Sequence, residues 1–406
     1  MAAQDGFEFK EEVDAELDPA QTRAFSEAVL HSADWTVETI VAQLAKGNIE
    51  LNPRFQRRDA WSSRRKSLFI ESLILGLPVP QIVLAEKQGH RGRYIVLDGK
   101  QRLLSLLQFA GLADPDAPNN SFRLSGLEAR ADLARKSYRD LTDDPALDAD
   151  LNAFSNYTIR TVVIRNWPSF DFLHLVFLRL NTGSVKLSPQ ELRQALFPGA
   201  FSDAVDDAAG ESPILRILLS RTSPDPRMRD VELLVRYLAF LMFLPTYAGR
   251  MKDFLDSACG TLNAEWDERS AAVEAAIERF EQAGTLLIEI FGANSIARKT
   301  GSRSFNRAIF DTLLFYTVDE RIADAMAADT QGVRETYARV LEDAGFLDAI
   351  DSDTAGVPHT LDRLRIWGEA LRQQLALDFR IPEAAVIQLG DGRTRAGITF
   401  DGFWAD

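Results

Sequence analysis

Apolar residues recur at helical spacing after Thr36, a residue suited to cap a helix, until Gly47 interrupts them, which predicts a helix over residues 36–46. "IELNPRFQ" then alternates briefly and is broken by Pro53, the pattern of an edge strand or extended segment. "SRRKSLFIESLILG" predicts a second helix over residues 63–75, apolar on the side of Leu68, Phe69, Ser72 and Leu73, stopped by Gly76 and Pro78. "QIVLAE" and "RYIVLD", joined by "KQGHRG", read as a hairpin, and a helix follows at once from Gly99. Residues 112–156 are polar and Asp-rich, predicting loops around one short helix. "YTIRTVVIRN" supplies the clearest strand.

"SFDFLHLVFLRLNTG" predicts a helix ending at Gly183, and "LSPQELRQALFPG" another with strong start signals. Ser188 is placed as N-cap, Pro189 at the first helical position and Glu191 to complete a capping box. Beyond residue 200, "VELLVRYLAFLMFL", "AAVEAAIERFEQAGTLLIEIF", "FNRAIFDTLLFYTV", "GVRETYARVLEDAGFLDAI" and "LDRLRIWGEALRQQL" all carry the helical period. The expected fold is α+β, a small mixed sheet with helices, followed by an all-α domain. The division is an acidic leader over 1–33, a first domain over 34–200, a helical domain over 201–380 and a tail over 381–406, which is a closing hairpin or a loose end.

Composition narrows this further. The 406 residues are 46% hydrophobic and 26% charged, enough for two globular cores. The net charge of −14 argues against a protein that coats nucleic acid through its overall field. The charge is uneven, however: residues 1–50 hold 3 Lys/Arg against 11 Asp/Glu, whereas residues 51–102 hold 11 against 4. A short positive segment therefore sits inside an acidic chain.

Cys259, the single cysteine, excludes an internal disulfide and reads as a small buried apolar residue. The acidic N-terminus lacks the basic and apolar regions of a secretory signal, so a cytoplasmic location is expected. Leu233–Pro245, the most apolar run, is shorter than the roughly 20 residues of a spanning helix and contains Arg236; it reads as a core helix, and no membrane association is expected.

The positive segment contains the candidate chemistry. In "YIVLDGKQRLL" a strand ends at Asp98, Gly99 permits a tight turn, and a helix begins. Free N–H groups and the positive end of the helix dipole converge there, and Lys100 and Arg102 add full charges, which describes a phosphate corner. The alternative is structural: Asp98 as N-cap with Gln101 three residues on is a capping-box-like start. Gln56, Arg57 and Arg58 in "NPRFQRRDAW" form a second basic cluster, read either as phosphate ligands or as a solvated loop. Asn181-Thr182-Gly183 offers an amide, a hydroxyl and a permissive glycine, or simply ends a helix.

Metal chemistry is not expected, because His31, His90, His174 and His359 stand far apart with no ligand spacing, and His174 reads as a core or cleft histidine. Neither GxxxxGKS/T nor GxGxxG is present, so any nucleotide is held without those cradles. Two basic stretches in the helical half, "ARKTGSRSFNR" (297–307) and "DPRMRD" (225–230), are basic spots or only solvated turns; with the positive segment 51–102, the first would form the footprint of a DNA-binding module.

The order "LNPRFQRRDAW…YIVLDGKQRLLSL…FLRLNTGSVKLSPQELR" resembles the N-terminal domain of the GmrSD-type restriction family, a ParB/sulfiredoxin-like fold. Its signatures are P-x-F/Y-Q-R, DGQQR and N-T-G-G-x-x-L-S-x-x-E-L-R, met here over residues 34–200. The resemblance implies binding and hydrolysis of a nucleoside triphosphate with Mg²⁺, coupled to restriction of foreign DNA. On this chain it assigns Asp98, Gln101 and Arg102 to catalysis. To the phosphates it assigns Gln56, Arg57, Gly99 and Arg102, and the reading of the residues themselves adds Lys100, Asn181 and Thr182.

Two residues depart from the pattern: Lys100 stands where the family has glutamine, and Ser184 where it has a second glycine. The family's full-length members carry a His-Asn-His nuclease domain. With His359 the sole histidine beyond His174, that domain is not expected here, and a separate nuclease subunit becomes a candidate partner beside DNA. Three other readings stay open: a DNA-binding module without catalysis, a ParB-like nuclease, and a structural partner protein.

Overall fold

The computed structural model describes residues 29–51, 61–113, 120–169, 172, 173, 176, 188–388 and 394–404. It divides into two compact units, one running to Leu196 and including Pro226–Met228, the other formed by Phe197–Asp225 with the residues from Arg229 on.

The first unit is built on a five-stranded mixed sheet. Its elements in chain order are β1 (Val29–Thr36), α1 (Val37–Ala45), β2 (Ile49–Glu50), α2 (Ser63–Ile74), β3 (Ile82–Glu86), β4 (Tyr94–Asp98), α3 (Lys100–Phe109), α4 (Tyr138–Asp143), α5 (Asp148–Asn156), β5 (Thr158–Arg165) and α6 (Pro189–Leu196). The sheet order is β1-β5-β3-β4-β2. β1 and β5 are antiparallel, β5 and β3 parallel, β3 and β4 antiparallel, and β4 and β2 parallel. Successive residues of β3 and β4 point to opposite faces, yet Ile82 to Ala85 and Tyr94 to Leu97 are all buried, so the centre of the sheet is covered on both sides. On one face Ile82, Leu84, Val96, Ile159 and Val163 meet Ile40 and Leu44 of α1, Ile70 and Leu73 of α2, and Leu103 and Leu107 of α3 in one core. Each such side chain contributes about 1.5–3 kcal/mol when fully removed from water.

The expected helix at 36–46 is present, with Thr36 Oγ1 accepting from Thr39 N–H. The hairpin, the helix after Gly99 and the strand near 157–166 also form as expected. β1 was not anticipated: "VLHSADWT" has weak alternation, and it is a strand because β5 pairs with its full length. Residues 112–156 hold two helices rather than one, the first started by a Ser137–Asp140 capping box.

The buried side of α2 is also turned from the expected one. Ile70 and Glu71 are buried while Leu68 and Ser72 are only half-buried. The cause is polar: Glu71 accepts N–H bonds from Glu128, Ala129 and Arg130 at 3.1, 2.9 and 2.7 Å, and Ser67 accepts one from Ser125 at 3.0 Å. A loop with free amides thus docks on the polar flank of α2 and covers it.

The second unit comprises α7 (Ala200–Glu211), α8 (Pro213–Leu218), α9 (Arg229–Phe243), α10 (Met251–Ala264), α11 (Trp266–Phe291), α12 (Arg307–Thr317), α13 (Glu320–Ala328), α14 (Thr330–Val340), α15 (Ala344–Asp351) and α16 (Val357–Leu375). The described elements over 201–380 are helical as expected, and in the tail β6 (Glu383–Gln388) and β7 (Thr394–Thr399) form an antiparallel hairpin, the first of the two readings of that segment. The apolar run at 233–245 lies in α9 and is a core helix, its Arg236 paired with buried Asp311 at 3.1 Å. Cys259 is buried. Among the described residues no single helix is long and apolar enough to cross a membrane.

A candidate anion corner between β4 and α3

At the end of β4 the chain turns through Gly99, whose φ of +98° is open to glycine and strained for any other residue. There is no room for a side chain either: a Cβ would stand 3.0 Å from Cγ1 of Ile82 and 3.3 Å from a guanidinium nitrogen of Arg102. Gly99, not Asp98, is the N-cap of α3, and it supplies no side-chain cap. The capping-box reading of Asp98 and Gln101 is therefore replaced by another arrangement. Asp98 Oδ1 accepts from Gly99 N–H at 2.7 Å and Oδ2 from Arg102 Nη2 at 3.0 Å, so this carboxylate closes the turn.

Arg102 is 5% exposed. Its Nη2 also donates to the carbonyl of Gln81 at 2.7 Å, which fixes the plane of the guanidinium, while its Nε–H has no acceptor. Gln101, next to it, keeps a buried Oε1 without a donor. Orphaned buried polar atoms are uncommon, because each forgoes about 1–3 kcal/mol of solvation. Two of them flank one helix N-terminus here.

Lys100 occupies the first position of α3, yet its ammonium turns to Glu191 Oε1 at 2.7 Å, and both side chains are about 95% shielded, at 5% and 4% exposure. The capping box that begins α6 is present as expected: Glu191 N–H donates to Ser188 Oγ at 3.0 Å and Ser188 N–H to Glu191 Oε2 at 2.7 Å. The same Oε2 also accepts from Nε of Arg227 at 3.3 Å. Glu191 and Arg227 were not foreseen as parts of this corner. A capping-box glutamate is explained completely by its own helix, and nothing in the sequence advertises its second oxygen.

Gln56 and Arg57, Asn181 and Thr182, and the variant position Ser184 lie outside the described residues, as does His174. His31 and His90 are exposed, and His359 is bound to the carbonyl of Asp353. No group of three or more His, Cys, Asp or Glu side chains converges as a metal site among the described residues.

Most of the basic stretches of the helical half are engaged internally. Arg298 donates to the carbonyls of Ile296 and Arg303, Lys299 pairs with Asp351, and Arg307 with Glu232. Arg229 is held by Asp225.

Residues 37–198 match the family model described as the GmrSD restriction endonuclease, N-terminal domain. This segment is a GmrSD N-terminal domain. The match covers less than half of the chain and ends beside Leu196, where the first unit ends. No curated protein matches the chain. The matched domain is named for a restriction endonuclease, and its DGKQR corner lies within the described residues.

Proposed function

We propose that the β4–α3 corner of the GmrSD domain binds the phosphates of a nucleoside triphosphate, and that the chain is a nucleotide-responsive sensor or regulator of a restriction or defence system. It acts in the cytoplasm, with DNA and a separate nuclease subunit as its partners. The observation that supports this most is Arg102: a buried, oriented guanidinium with an unused N–H, beside a glycine that opens a helix N-terminus. The positive end of the helix dipole favours an anion there, and a charge-assisted bond from Arg102 adds to it.

Both Asp98 oxygens are engaged, so Mg²⁺ in this reading is carried by the phosphate oxygens. Gln101 Oε1 suits a water that attacks the terminal phosphate, a positioning role of the kind glutamine performs in phosphoryl transfer. Gln56, Arg57, Asn181 and Thr182 are assigned to the pocket by the sequence alone.

The test is calorimetric titration of the full chain with ATP and GTP plus Mg²⁺, in parallel with Arg102→Ala checked for folding by circular dichroism. The parent is expected to bind and the variant to lose roughly 10- to 100-fold, the worth of one hydrogen bond to a charged group. A parent that takes up neither nucleotide defeats the reading, as does a folded variant of undiminished affinity. Phosphate release, measured separately, decides hydrolysis.

A further inference from the structure

The β3–β4 hairpin turns through Lys87–Arg93, "KQGHRGR", at the end of the sheet opposite the anion corner. From Tyr94 at the start of β4 to Asp98 at its end is roughly 13 Å at the ordinary rise of a strand. The turn is held from within. Lys87 N–H donates to the carbonyl of Arg93 at 2.8 Å, His90 N–H to that of Lys87 at 3.0 Å and Arg93 N–H to that of His90 at 3.1 Å. Glu86 Oε1 accepts from Gly92 N–H at 2.8 Å, and Gln88 Nε2 donates to the carbonyl of Trp167 at 2.9 Å.

Strand pairing gathers cations around this turn. β3 runs parallel to β5 with Ala85 opposite Ile164, which sets Arg165 beside Glu86, and the two pair at 3.5 Å. Arg93 reaches back to the carbonyl of Gly47 at 2.7 Å, next to Lys46 at the end of α1, and Lys87 binds Glu50 at 2.6 Å. Glu50 and Glu86 thus engage Lys87 and Arg165, and Lys46, Arg91 and Arg93 remain exposed with their charges turned to water. Among the described residues, neither Lys46 nor Arg91 has an ion pair or a side-chain hydrogen bond.

The chemistry of the turn selects its partner. Lys87–Arg93 contains no apolar side chain, so a peptide finds no pocket there for an anchor. It contains no Phe, Tyr or Trp on which an unpaired base could stack, and Trp167, bonded to Gln88, is 4% exposed. Gly89 and Gly92, at φ of +72° and +80°, have nothing within 4 Å of where a Cβ would stand, so a broad anionic surface can come close to the backbone. A DNA duplex is such a surface, with one charge per roughly 1.7 Å of its axis. The chain's net charge of −14 does not forbid the contact, because at about 0.1 M salt charges beyond about 10 Å are screened.

We propose that the Lys87–Arg93 turn, together with Lys46, is a binding surface for the phosphate backbone of double-stranded DNA, with Arg91 as its principal contact and no reading of the bases. This rests on the DNA half of the proposed function and not on the nucleotide half. Lys46, Arg91 and Arg93, each meeting one phosphate, correspond to a slope of about −2.7 for log affinity against log salt.

The experiment is fluorescence anisotropy of a short labelled duplex titrated with the full chain over a range of salt, parent against Arg91→Ala and Arg139→Ala. Arg139→Ala removes the same charge from α4, where Arg139 pairs with Asp143. Arg91 is exposed and engaged by no other side chain, so its truncation is compatible with folding. Arg91→Ala is expected to bind about fivefold more weakly and to lose about one unit of slope, and Arg139→Ala to match the parent. Undiminished binding by Arg91→Ala, or equal weakening in both variants, overturns the surface and leaves DNA standing as a partner. A parent that binds no duplex overturns the surface and the DNA partner together, and leaves the nucleotide reading to its own titration. Tighter binding of a single strand, or displacement of the duplex by polyglutamate at equal charge concentration, overturns the assignment to duplex DNA.

Discussion

The ammonium of Lys100 and the carboxylate of Glu191, 91 residues apart in sequence, meet at 2.7 Å in the interior of the first unit. This pair joins the two conspicuous motifs of the chain, DGKQR and SPQELR, and ties the first turn of α3 to the first turn of α6. Buried ion pairs are costly to break singly, because the partner left behind is an uncompensated charge worth about 3–5 kcal/mol. Glu191 keeps Arg227 as a second, partly exposed partner, so Lys100→Met is expected to lower the unfolding free energy in urea toward the lower end of that range. Lys100→Gln, which restores the family's residue and can still donate to Glu191, should cost clearly less. Equal losses in the two variants would mean that the ammonium charge, not the hydrogen bond, is what Glu191 requires.

Gly99 is constrained twice, by its φ of +98° and by Ile82 at 3.0 Å from where a Cβ would stand. Gly99→Ala adds the cost of a left-handed L residue, about 1–2 kcal/mol, to a displacement of Arg102 or Ile82. The expected outcome is a loss of about 2–3 kcal/mol in urea unfolding, with nucleotide affinity falling further than in a surface variant of equal stability. A stable Gly99→Ala that binds nucleotide normally would separate the turn from the function assigned to it.

Much of this was legible in the sequence, and the reasons are local. Thr36 and Ser188 announce their helices through short-range caps, and Gly99 announces the corner through the one backbone conformation it alone adopts cheaply. What was missed depends on partners distant in sequence. β1 is a strand because β5 lies beside it, Glu71 turns α2 because loop amides come to it from residues 128–130, and Arg227 joins Glu191 from within a segment that read as a solvated turn. For Asp98 the local signal was itself misleading: a short acceptor beside a helix start looks like a cap, whereas its two oxygens are taken by Gly99 N–H and by the guanidinium of Arg102.

Glu71 makes a pH dependence testable. Burial by itself would raise its pKa, but the amides of Arg130, Ala129 and Glu128 and the Arg130 guanidinium outweigh this and hold it below the usual value of 4.5. A carboxyl depressed in the folded state stabilises above its unfolded pKa, and the contribution disappears as pH falls through the folded value. Parent stability should therefore decline on acidification below about pH 4.5, through the unfolded pKa of an ordinary Glu. Glu71→Gln should already be weaker at pH 7, by about 1.5–3 kcal/mol for the lost charge-assisted bonds, and should lack this part of the acid slope. Urea unfolding of both proteins at pH 7 and pH 4 measures the difference, and parallel curves would remove Glu71 from the account.

The basic stretch around Arg298 allows the nucleic-acid footprint to be separated from simple architecture. Arg298 is 7% exposed, and its guanidinium donates to the carbonyls of Ile296 at 2.9 Å and Arg303 at 3.1 Å, so it closes its own loop; burial also lowers its pKa. Removing it leaves those carbonyls unsatisfied at about 1–3 kcal/mol apiece. Arg298→Ala is therefore expected to lower the thermal midpoint while leaving the salt dependence of any DNA binding unchanged, because a phosphate-contacting arginine would reduce that slope by about one unit and this one is turned inward. A variant that keeps its midpoint but loses one unit of slope would return Arg298 to the surface and to DNA.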